Sequence, residues 1–384
     1  MPITLPTPSP EALAISLALE AKLHREILQA GGWIPFSDYM KHVLYAKDLG
    51  YYVAGGQKLG AQGDFVTAPE ISPLFGATLA QQVAALLPQT AGAIYEFGAG
   101  SGRLAADLLL ALEKLEQLPI AYFIIDLSPD LIARQRTTLS REVPHLLNRV
   151  KWLSALPTTL NGVILGNEVL DAMPCELIHW TPEPQHRGVT LDKGQFAWQD
   201  RPIVDPTLQH LATKLNIQAN DYLSEINLNN LAFIRTLAAR LVTGAIILID
   251  YGFPRAEYYH PQRHRGTLIG HYRHHTLDDP FYLPGLVDLS CHVDFSALAY
   301  AGTAAGLDLI GYTTQAQFLI NAGIIEQLQQ LDPRDSHAWA PQASAVQKLL
   351  STAEMGELFK VIAFGKNVET DCLGFQHGDR SHRL

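Results

Sequence analysis

YEFGAGSGR, residues 95–103, is the stretch that decides the fold of this 384-residue chain. The apolar run AIYEF, residues 93–97, is typical of a buried strand, and the leucine spacing of RLAADLLLALEKL predicts a helix after the glycines. Between them, Gly98, Gly100 and Gly102 let the backbone turn tightly and approach a ligand closely. Strand, glycine loop and helix together predict a site for a nucleotide-like ligand, and a purely structural turn is the alternative.

The glycine spacing also limits the ligand. It is G-x-G-x-G, whereas dinucleotide-binding loops read G-x-G-x-x-G, and Arg103 stands where their last glycine would be. This disfavours NAD and FAD. Asp126 closes the next predicted strand, where a carboxylate could accept hydrogen bonds from both ribose hydroxyls of a nucleoside.

Six further apolar runs predict strands, at 119–126, 150–153, 162–167, 244–252, 307–314 and 358–366. Amphipathic stretches separate most of them, and Ser128 followed by Pro129 is a typical helix start. The alternation predicts an α/β fold, a doubly wound parallel sheet of seven strands with covering helices.

The remaining segments divide the chain into regions. We expect an N-terminal helical region at 1–92, a core at 93–366 and a polar tail at 367–384. The core carries insertions at about 175–225, 253–293 and 315–350; the first contains a hairpin signal at Asp192-Lys193-Gly194, the second is a long loop and the third is helical.

A second group of polar residues follows the strand at 162–167, in the stretch GNEVLDAMP. Ligands of open α/β sheets bind outside the carboxyl ends of the strands, so we expect Asn167, Glu168 and Asp171 to face the same crevice as the glycine loop. For Asn167 and Asp171, helix capping is the alternative.

A third motif, GDFVTAPEISPLFG, spans residues 63–76 and places two acids and a threonine among prolines. Proline lacks a backbone donor and disfavours helix in the residue before it, so the motif predicts an extended, hydrogen-bond-poor path through Glu70 and Ile71. Such a loop needs an outside reason to be ordered, and Asp64, Thr67 and Glu70 are its candidate functional residues.

Composition excludes some classes of protein. The net charge of −10 argues against non-specific nucleic-acid binding, and no apolar run approaches the roughly 20 residues of a membrane span. Three scattered cysteines and the absence of a leader pattern favour a cytoplasmic protein in a reducing compartment.

Two histidine-containing stretches leave alternatives open. The segment 255–275 collects arginines and histidines and is either a solvated loop or the wall of a site. A metal site at His260 and His264 is disfavoured because no cysteine or acid pair stands nearby. In DLSCHVDF, Asp288, His292 and Asp294 suggest a histidine–carboxylate pair, with helix capping by Asp294 as the alternative.

These motifs, in this order, closely resemble the MidA-like family of S-adenosylmethionine-dependent methyltransferases, whose mitochondrial members methylate an arginine on a core subunit of respiratory complex I during assembly. The stretches that carry the resemblance, over about residues 12–366, are GDFVTAPEISPLFG, YEFGAGSGR, IIDLSPDLIARQ, GNEVLDAMP, ILIDYG, GTLIGHYRHH and PGLVDLSCHVDF. Two departures are modest, since Ala99 stands where the family often has proline and Asp126 where it often has glutamate.

The resemblance implies a class I methyltransferase fold, a Rossmann-like seven-stranded sheet with an N-terminal helical region and inserted substrate-binding segments. It also implies that S-adenosyl-L-methionine is bound and S-adenosyl-L-homocysteine is the product, without a metal. The residues implied to bind the cofactor are Thr67, Pro69, Glu96, Gly98, Gly100, Gly102, Asp126, Leu127, Asn167 and Glu168, with the 63–76 loop as a lid.

The acceptor implied is an arginine of a partner protein, such as a complex I core subunit, and a homodimer is possible. Carboxylates match the planar guanidinium, and one can accept its proton, so Glu168, Glu70 and Asp171 are the candidate catalytic residues. The glycine loop says nothing of the acceptor, so a small-molecule methyltransferase and a non-catalytic assembly factor that retains the cofactor site remain alternatives.

Overall fold

The computed structural model describes residues 5–54, 67–181 and 183–384. Its helices are α1 (Pro10–Gln29), α2 (Phe36–Tyr45), α3 (Ala68–Ile71), α4 (Pro73–Leu86), α5 (Arg103–Lys114), α6 (Pro129–Glu142), α7 (Pro206–Lys214), α8 (Leu228–Arg240), α9 (Arg255–Tyr258), α10 (Phe295–Ala304), α11 (Gln315–Asn321), α12 (Ile324–Gln329) and α13 (Ser336–Leu350). Its strands are β1 (Trp33–Pro35), β2 (Ala93–Phe97), β3 (Ala121–Ile125), β4 (Val150–Leu153), β5 (Leu160–Asn167), β6 (Glu176–Trp180), β7 (Pro184–Asp192), β8 (Gln195–Pro202), β9 (Tyr222–Ile226), β10 (Leu241–Phe253), β11 (Ile269–Tyr272), β12 (His275–Leu277), β13 (Asp288–Ser290), β14 (Val293–Asp294), β15 (Asp308–Thr314) and β16 (Phe359–Lys366).

These elements form two compact units. Unit 1 comprises Met1–Phe65, Asp171–Ala232 and Arg255–Val293, and unit 2 comprises Val66–Leu170, Phe233–Pro254 and Asp294–Leu384. Unit 1 is therefore built from the N-terminal segment and two segments that are inserted in the sequence of unit 2.

Unit 2 contains the predicted α/β sheet. Seven strands follow one another in the order β15, β16, β10, β5, β2, β3, β4, and the short β14 pairs with β10 beside this path. Strands β10, β5, β2, β3 and β4 are parallel, whereas β16 is antiparallel to both β10 and β15. The α/β class is confirmed, but the prediction of a parallel sheet is wrong at this edge. Apolar runs reveal where strands lie and not which way they point.

The core of unit 2 explains why these runs are apolar. Side chains of the central strands, such as Ile94, Val163 and Ile247, are buried in one cluster with leucines of the covering helices, such as Leu108. Each such leucine contributes about 2–5 kcal/mol relative to alanine. The cluster also takes in Phe375, so part of the predicted tail is packed against the core.

The segment after residue 66 is more regular than its prolines suggest. The predicted extended path through Glu70 and Ile71 is wrong, because these residues form the end of α3, which holds Pro69 in its first turn. Ser72 then caps α4, and Pro73 is its first residue. Proline is tolerated in a first helical turn because the backbone donor that it lacks has no partner there anyway.

Unit 1 contains two sheets. The larger follows the order β1, β7, β6, β9, with β8 paired to β7, and the predicted hairpin is present at Lys193 and Gly194, both with positive φ. The smaller follows the order β12, β11, β13. Its three strands lie within the segment 253–293, so the prediction of a structureless long loop there is wrong. Strands of three or four residues are too short to show a clear alternation in the sequence.

Helices α11, α12 and α13 confirm the helical prediction for 315–350, and Ser128 caps α6 as predicted. Within the described ranges, no helix is long and apolar enough to cross a membrane.

Candidate functional site

The glycine loop lies between the end of β2 and the start of α5. Gly98, Gly100 and Gly102 have φ values of 60°, 52° and 84°, in the left-handed region that costs a residue with a Cβ about 1–2 kcal/mol. The Gly98 amide donates to the carbonyl of Ile125 over 3.0 Å, which ties the loop to β3. A Cβ on Gly102 would lie 3.0 Å from the Cα of Gln135. The loop is thus fixed closely against its neighbours.

Asp126 follows β3 and is held beside this loop by Gln135 of α6. The Gln135 amide donates to the Asp126 carboxylate over 2.7 Å and to the carbonyl of Gly100 over 3.2 Å, and its oxygen accepts from Trp152 Nε1 over 2.9 Å. Burial raises the pKa of Asp126, while the backbone N–H of Ser128 and the Gln135 amide oppose that shift. Gln135 is fully buried and ties the glycine loop, the acid and β4 together.

Sequence reasoning missed Gln135. Its position within an ordinary amphipathic helix carries no signal, since a glutamine facing inward cannot be told from one facing water without the tertiary fold.

Glu96 sits one residue before the end of β2. Its side chain is 2% exposed and accepts a hydrogen bond from the hydroxyl of Tyr122 over 2.8 Å. Burial raises the pKa of Glu96 to about 8, so the carboxyl is mostly protonated at neutral pH. Glu96 is thus a buried, neutral polar group on β2, next to β3, the strand that Asp126 follows.

Asn167 and Glu168 stand at the carboxyl end of β5. The Asn167 amide donates to the Glu168 carboxylate over 3.0 Å, and the Asn167 Oδ1 atom is buried without a protein partner. Glu168 has φ of 54°, which is unusual for a residue other than glycine and costs about 1–3 kcal/mol. Helix capping by Asn167 or Asp171 is wrong, because the chain enters β6 without forming a helix.

Asp250 on β10 fixes the turn that contains Glu168. Its buried carboxylate accepts from the backbone N–H groups of Val169 and Leu170 over 3.1 and 2.9 Å, and from that of Tyr251 over 2.9 Å. The Glu168 amide donates to the carbonyl of Ile249 over 2.9 Å. The sequence did carry a signal here, since Asp250 is an acid at the end of a continuous apolar run.

The segment before α4 also reaches the glycine loop. The Ser101 hydroxyl donates a hydrogen bond to the Glu70 carboxylate, and the Glu70 amide donates to the Thr67 carbonyl over 2.9 Å. Pro69 is buried, and Asp64 lies outside the described residues. Unit 2 thus brings together Glu70, the glycine loop and Asp126.

Two predicted site residues stand apart. Leu127 follows Asp126, and its side chain is 76% exposed, while its backbone N–H donates to the Asp126 carboxylate. Asp171 belongs to unit 1, where its carbonyl accepts from the Cys291 amide over 3.1 Å.

In unit 1, backbone groups of the segment 255–275, here called the Arg/His segment, donate to a buried acid, Glu225. Glu225 is 1% exposed and accepts from the backbone N–H groups of Thr267 and Leu268 over 2.7 and 2.8 Å and from the Tyr258 hydroxyl over 3.1 Å. A Cβ on Gly266 would lie 2.4 Å from Glu225 Oε1, which explains this glycine. Within the segment 255–275, His260 and His264 are exposed.

For DLSCHVDF, the capping alternative is confirmed for Asp294, whose carboxylate accepts from the Ala297 amide at the start of α10. Over the described part of the chain, no group of three or more His, Cys, Asp or Glu residues could hold a metal ion.

An α/β sheet with a glycine loop after one strand and an acid after the next is typical of a protein that binds a nucleoside-containing ligand at the carboxyl ends of its strands. Residues 74–313 match the family described as "Putative S-adenosyl-L-methionine-dependent methyltransferase". The chain belongs to this family, the MidA-like S-adenosylmethionine-dependent methyltransferases.

Similar proteins agree with this assignment. A solved structure from Burkholderia thailandensis, bound to S-adenosyl-homocysteine, is 51% identical, covers 99% of this chain and 100% of its own, and has a TM-score of 0.96. Curated relatives named "Protein arginine methyltransferase NDUFAF7, mitochondrial" are more distant. The Danio rerio protein is 29% identical over 86% of this chain and 83% of its own length, and the human protein is 27% identical over 88% and 81%.

The residues present fit S-adenosylmethionine, the cofactor of the family. The buried Asn167 Oδ1 is an acceptor that still needs a donor, as a cofactor with an amino group and hydroxyls would supply. Asp126 offers a carboxylate, and the three left-handed glycines leave the loop backbone free of side chains.

Proposed function

We propose that this methyltransferase transfers the methyl group to an arginine of a partner protein. The observation that carries the proposal is Glu168, a carboxylate held at φ of 54° at the carboxyl end of β5, beside residues that fit the cofactor. A strained residue persists only where its surroundings fix it, and such residues concentrate at functional sites. The names of the mitochondrial relatives support arginine as the acceptor.

On the cofactor side, Gly98, Gly100 and Gly102 surround the methionine part, and Asp126 accepts from the ribose hydroxyls. Leu127 contributes its backbone. Glu96, buried and mostly protonated, keeps the end of β2 neutral where a cationic sulfonium and a carboxylate must both be placed. Asn167 accepts a hydrogen bond through its Oδ1 atom.

On the cofactor side, α3 also contacts the glycine loop. Thr67 and Pro69 position α3, and the hydrogen bond from Ser101 to Glu70 holds α3 to the glycine loop. This contact supports a lid role for Glu70 at least as well as a role at the acceptor.

When bound, S-adenosylmethionine supplies an electrophilic methyl group on sulfur. The chain's task is then to orient the acceptor nitrogen in line with that group and to exclude water. Glu168 can bind the guanidinium through charge-assisted hydrogen bonds and accept the proton that is released. Asp171 is a second candidate for orienting the guanidinium, and unit 1, which contains the inserted segments, is the proposed substrate-binding part.

The partner that the resemblance implies is a core subunit of respiratory complex I, and a homodimer is the proposed assembly. The test is mass spectrometry of that subunit from cells with and without the gene, alongside calorimetry of the purified protein with S-adenosylmethionine. Methylarginine that depends on the gene supports the proposal. Cofactor binding with a methylated small molecule and no methylarginine would favour a small-molecule acceptor, and binding without any transfer would favour a non-catalytic assembly factor.

A further inference from the structure

Unit 1 contains a set of polar residues that are not among the proposed cofactor-binding residues. We call Tyr45, Tyr52, Asp171, Asp288 and Ser290 the tyrosine–aspartate cluster. Asp171 and Asp288 are 7% and 3% exposed, and Ser290 is 1% exposed. Two buried carboxylates are costly unless a cation or several donors offset their charge.

Hydrogen bonds define the geometry of the cluster. The Tyr52 hydroxyl donates to Asp288 Oδ2 over 3.1 Å, and the Tyr45 hydroxyl donates to the carbonyl of Ala172 over 2.9 Å. The Cys291 amide donates to the Asp171 carbonyl over 3.1 Å, so the backbone of Asp171 is fixed at the end of β13. Asp288 lies on β13, the backbone of Asp171 lies at the end of that strand, and each tyrosine hydroxyl is fixed by a hydrogen bond to Asp288 or to the residue after Asp171.

The tyrosines provide an aromatic side to the cluster. Their rings stack with centroids 5.6 Å apart and an interplanar angle of 22°. Both are partly exposed, whereas the acids are buried, so the tyrosine side is the one that a ligand can reach. Aromatic faces attract cations, and a planar guanidinium stacks on them better than an ammonium does.

Ser290 is an independent observation. Its Oγ atom is buried without a hydrogen-bond partner. Residues two apart on a strand share a face, so this hydroxyl lies on the same face of β13 as Asp288. A buried hydroxyl without a partner costs free energy, and a ligand that donates N–H groups would satisfy it.

We infer that the tyrosine–aspartate cluster is the binding site for the guanidinium of the acceptor arginine. Asp288 and Asp171 accept its N–H groups, Ser290 accepts one more, and the tyrosine rings cover its plane. This inference rests on the proposed function for the identity of the acceptor, but the residues that it names bind rather than transfer.

The first test measures by NMR the binding of Nα-acetyl-L-arginine methylamide to the full chain in the presence of S-adenosylhomocysteine. The corresponding citrulline derivative serves as the neutral isostere of this probe. We expect the arginine probe to bind at least tenfold more tightly than the citrulline probe. Asp288→Asn should remove most of that preference, whereas Asp278→Asn, at an exposed acid of the same segment, should keep it. Equal binding of the two probes by the wild type would overturn the inference.

The second test measures methyl transfer to the partner protein. Asp288→Asn and Ser290→Ala should raise KM for the acceptor about tenfold or more and about threefold, while the cofactor Kd stays the same. Ser290→Ala guards against misfolding of the Asn variant, since it removes only a hydroxyl. Unchanged acceptor KM in both variants, with methylarginine still formed, would overturn the inference and leave the proposed function intact. Probe binding that depends on Asp288, in a wild type that forms no methylarginine, would retain the site and reject the proposed function.

Discussion

Replacement of Gln135 by leucine tests whether the cofactor site depends on a residue that never needs to touch the cofactor. Leucine fills similar space but removes the donor to Asp126 at 2.7 Å and to the Gly100 carbonyl at 3.2 Å, and the acceptor for Trp152 Nε1. Asp126 then keeps its hydrogen bonds from the backbone N–H groups of Ser128 and Leu127.

The expected magnitude follows from the strongest lost bond. A hydrogen bond to a charged group contributes about 1.5–3 kcal/mol, and each 1.4 kcal/mol changes an equilibrium constant about tenfold. If the bond serves to pre-position Asp126, the Kd for S-adenosylhomocysteine should rise roughly ten- to a hundredfold. The Gln135 amide also opposes the burial-driven rise in the pKa of Asp126, so this pKa should be higher in the variant. As the pH is lowered, the affinity for S-adenosylhomocysteine should therefore begin to fall at a higher pH in the variant than in the wild type.

The assay is calorimetry on four proteins: the wild type, Gln135→Leu, Asp126→Ala and the double variant. If Gln135 acts through Asp126, its replacement should cost little once Asp126 is absent, and the residual cost reflects the Gly100 contact. Trp152→Phe is the control, since it removes the third bond and leaves the Gln135 amide in place; its Kd should change less than about threefold. Equal losses from Gln135→Leu in both backgrounds would refute the positioning role.

Three further predictions concern individual residues. Burial raises the pKa of Glu96 to about 8, whereas in the unfolded chain this group releases its proton near pH 4.3. The free energy of unfolding of the wild type should therefore fall as the pH rises from about 4.3 to 8, and this fall should be absent in Glu96→Gln. Melting temperatures of the two proteins that change in parallel from pH 5 to 9 would contradict this. Gly102→Ala and Gly306→Ala both place alanine at positive φ, but only a Cβ at position 102 would meet Gln135. We expect about 1–2 kcal/mol of destabilisation for Gly306→Ala, and a larger loss of stability together with weaker cofactor binding for Gly102→Ala. Equal shifts in melting temperature would mean that the contact with Gln135 costs nothing. Glu168→Gln should lower turnover about a hundredfold with little change in cofactor Kd, since it keeps size and loses charge and base; full methyl-transfer activity would remove Glu168 from the mechanism.

The positions of the strands could be predicted from the sequence because each buried strand needs its own apolar run. AIYEF was predicted at the residues that form β2, and the run at 162–167 lies within β5. The direction of β16 could not be predicted, since an antiparallel and a parallel buried strand have the same composition. The short strands β11, β12 and β13 could not be predicted for a different reason, since three or four residues are too few to show a clear alternation.

The site was partly predictable for a different reason. Gly98, Gly100 and Gly102 were visible because a positive φ selects glycine, and Asp126 because an acid directly after an apolar run is conspicuous. Gln135 was not visible, since its role depends on three partners distant in the sequence. The path through Glu70 was misjudged because proline breaks a helix in its interior but starts one at its first turn.

Glu168 and Asp250 together explain why the turn at the carboxyl end of β5 is fixed before any ligand binds. The left-handed backbone of Glu168 costs about 1–3 kcal/mol, and it could relax if the following residues were free to move. The Asp250 carboxylate prevents this by accepting from the amides of Val169 and Leu170, two hydrogen bonds to a charged group at about 1.5–3 kcal/mol each. The hydrogen bonds therefore offset the strain, and β10 fixes the backbone at Glu168, while the Asn167 amide donates to its carboxylate. If Glu168 acts on the acceptor as proposed, a backbone fixed in this way need not reorganise when charge develops, which is the condition under which electrostatic stabilisation is most effective.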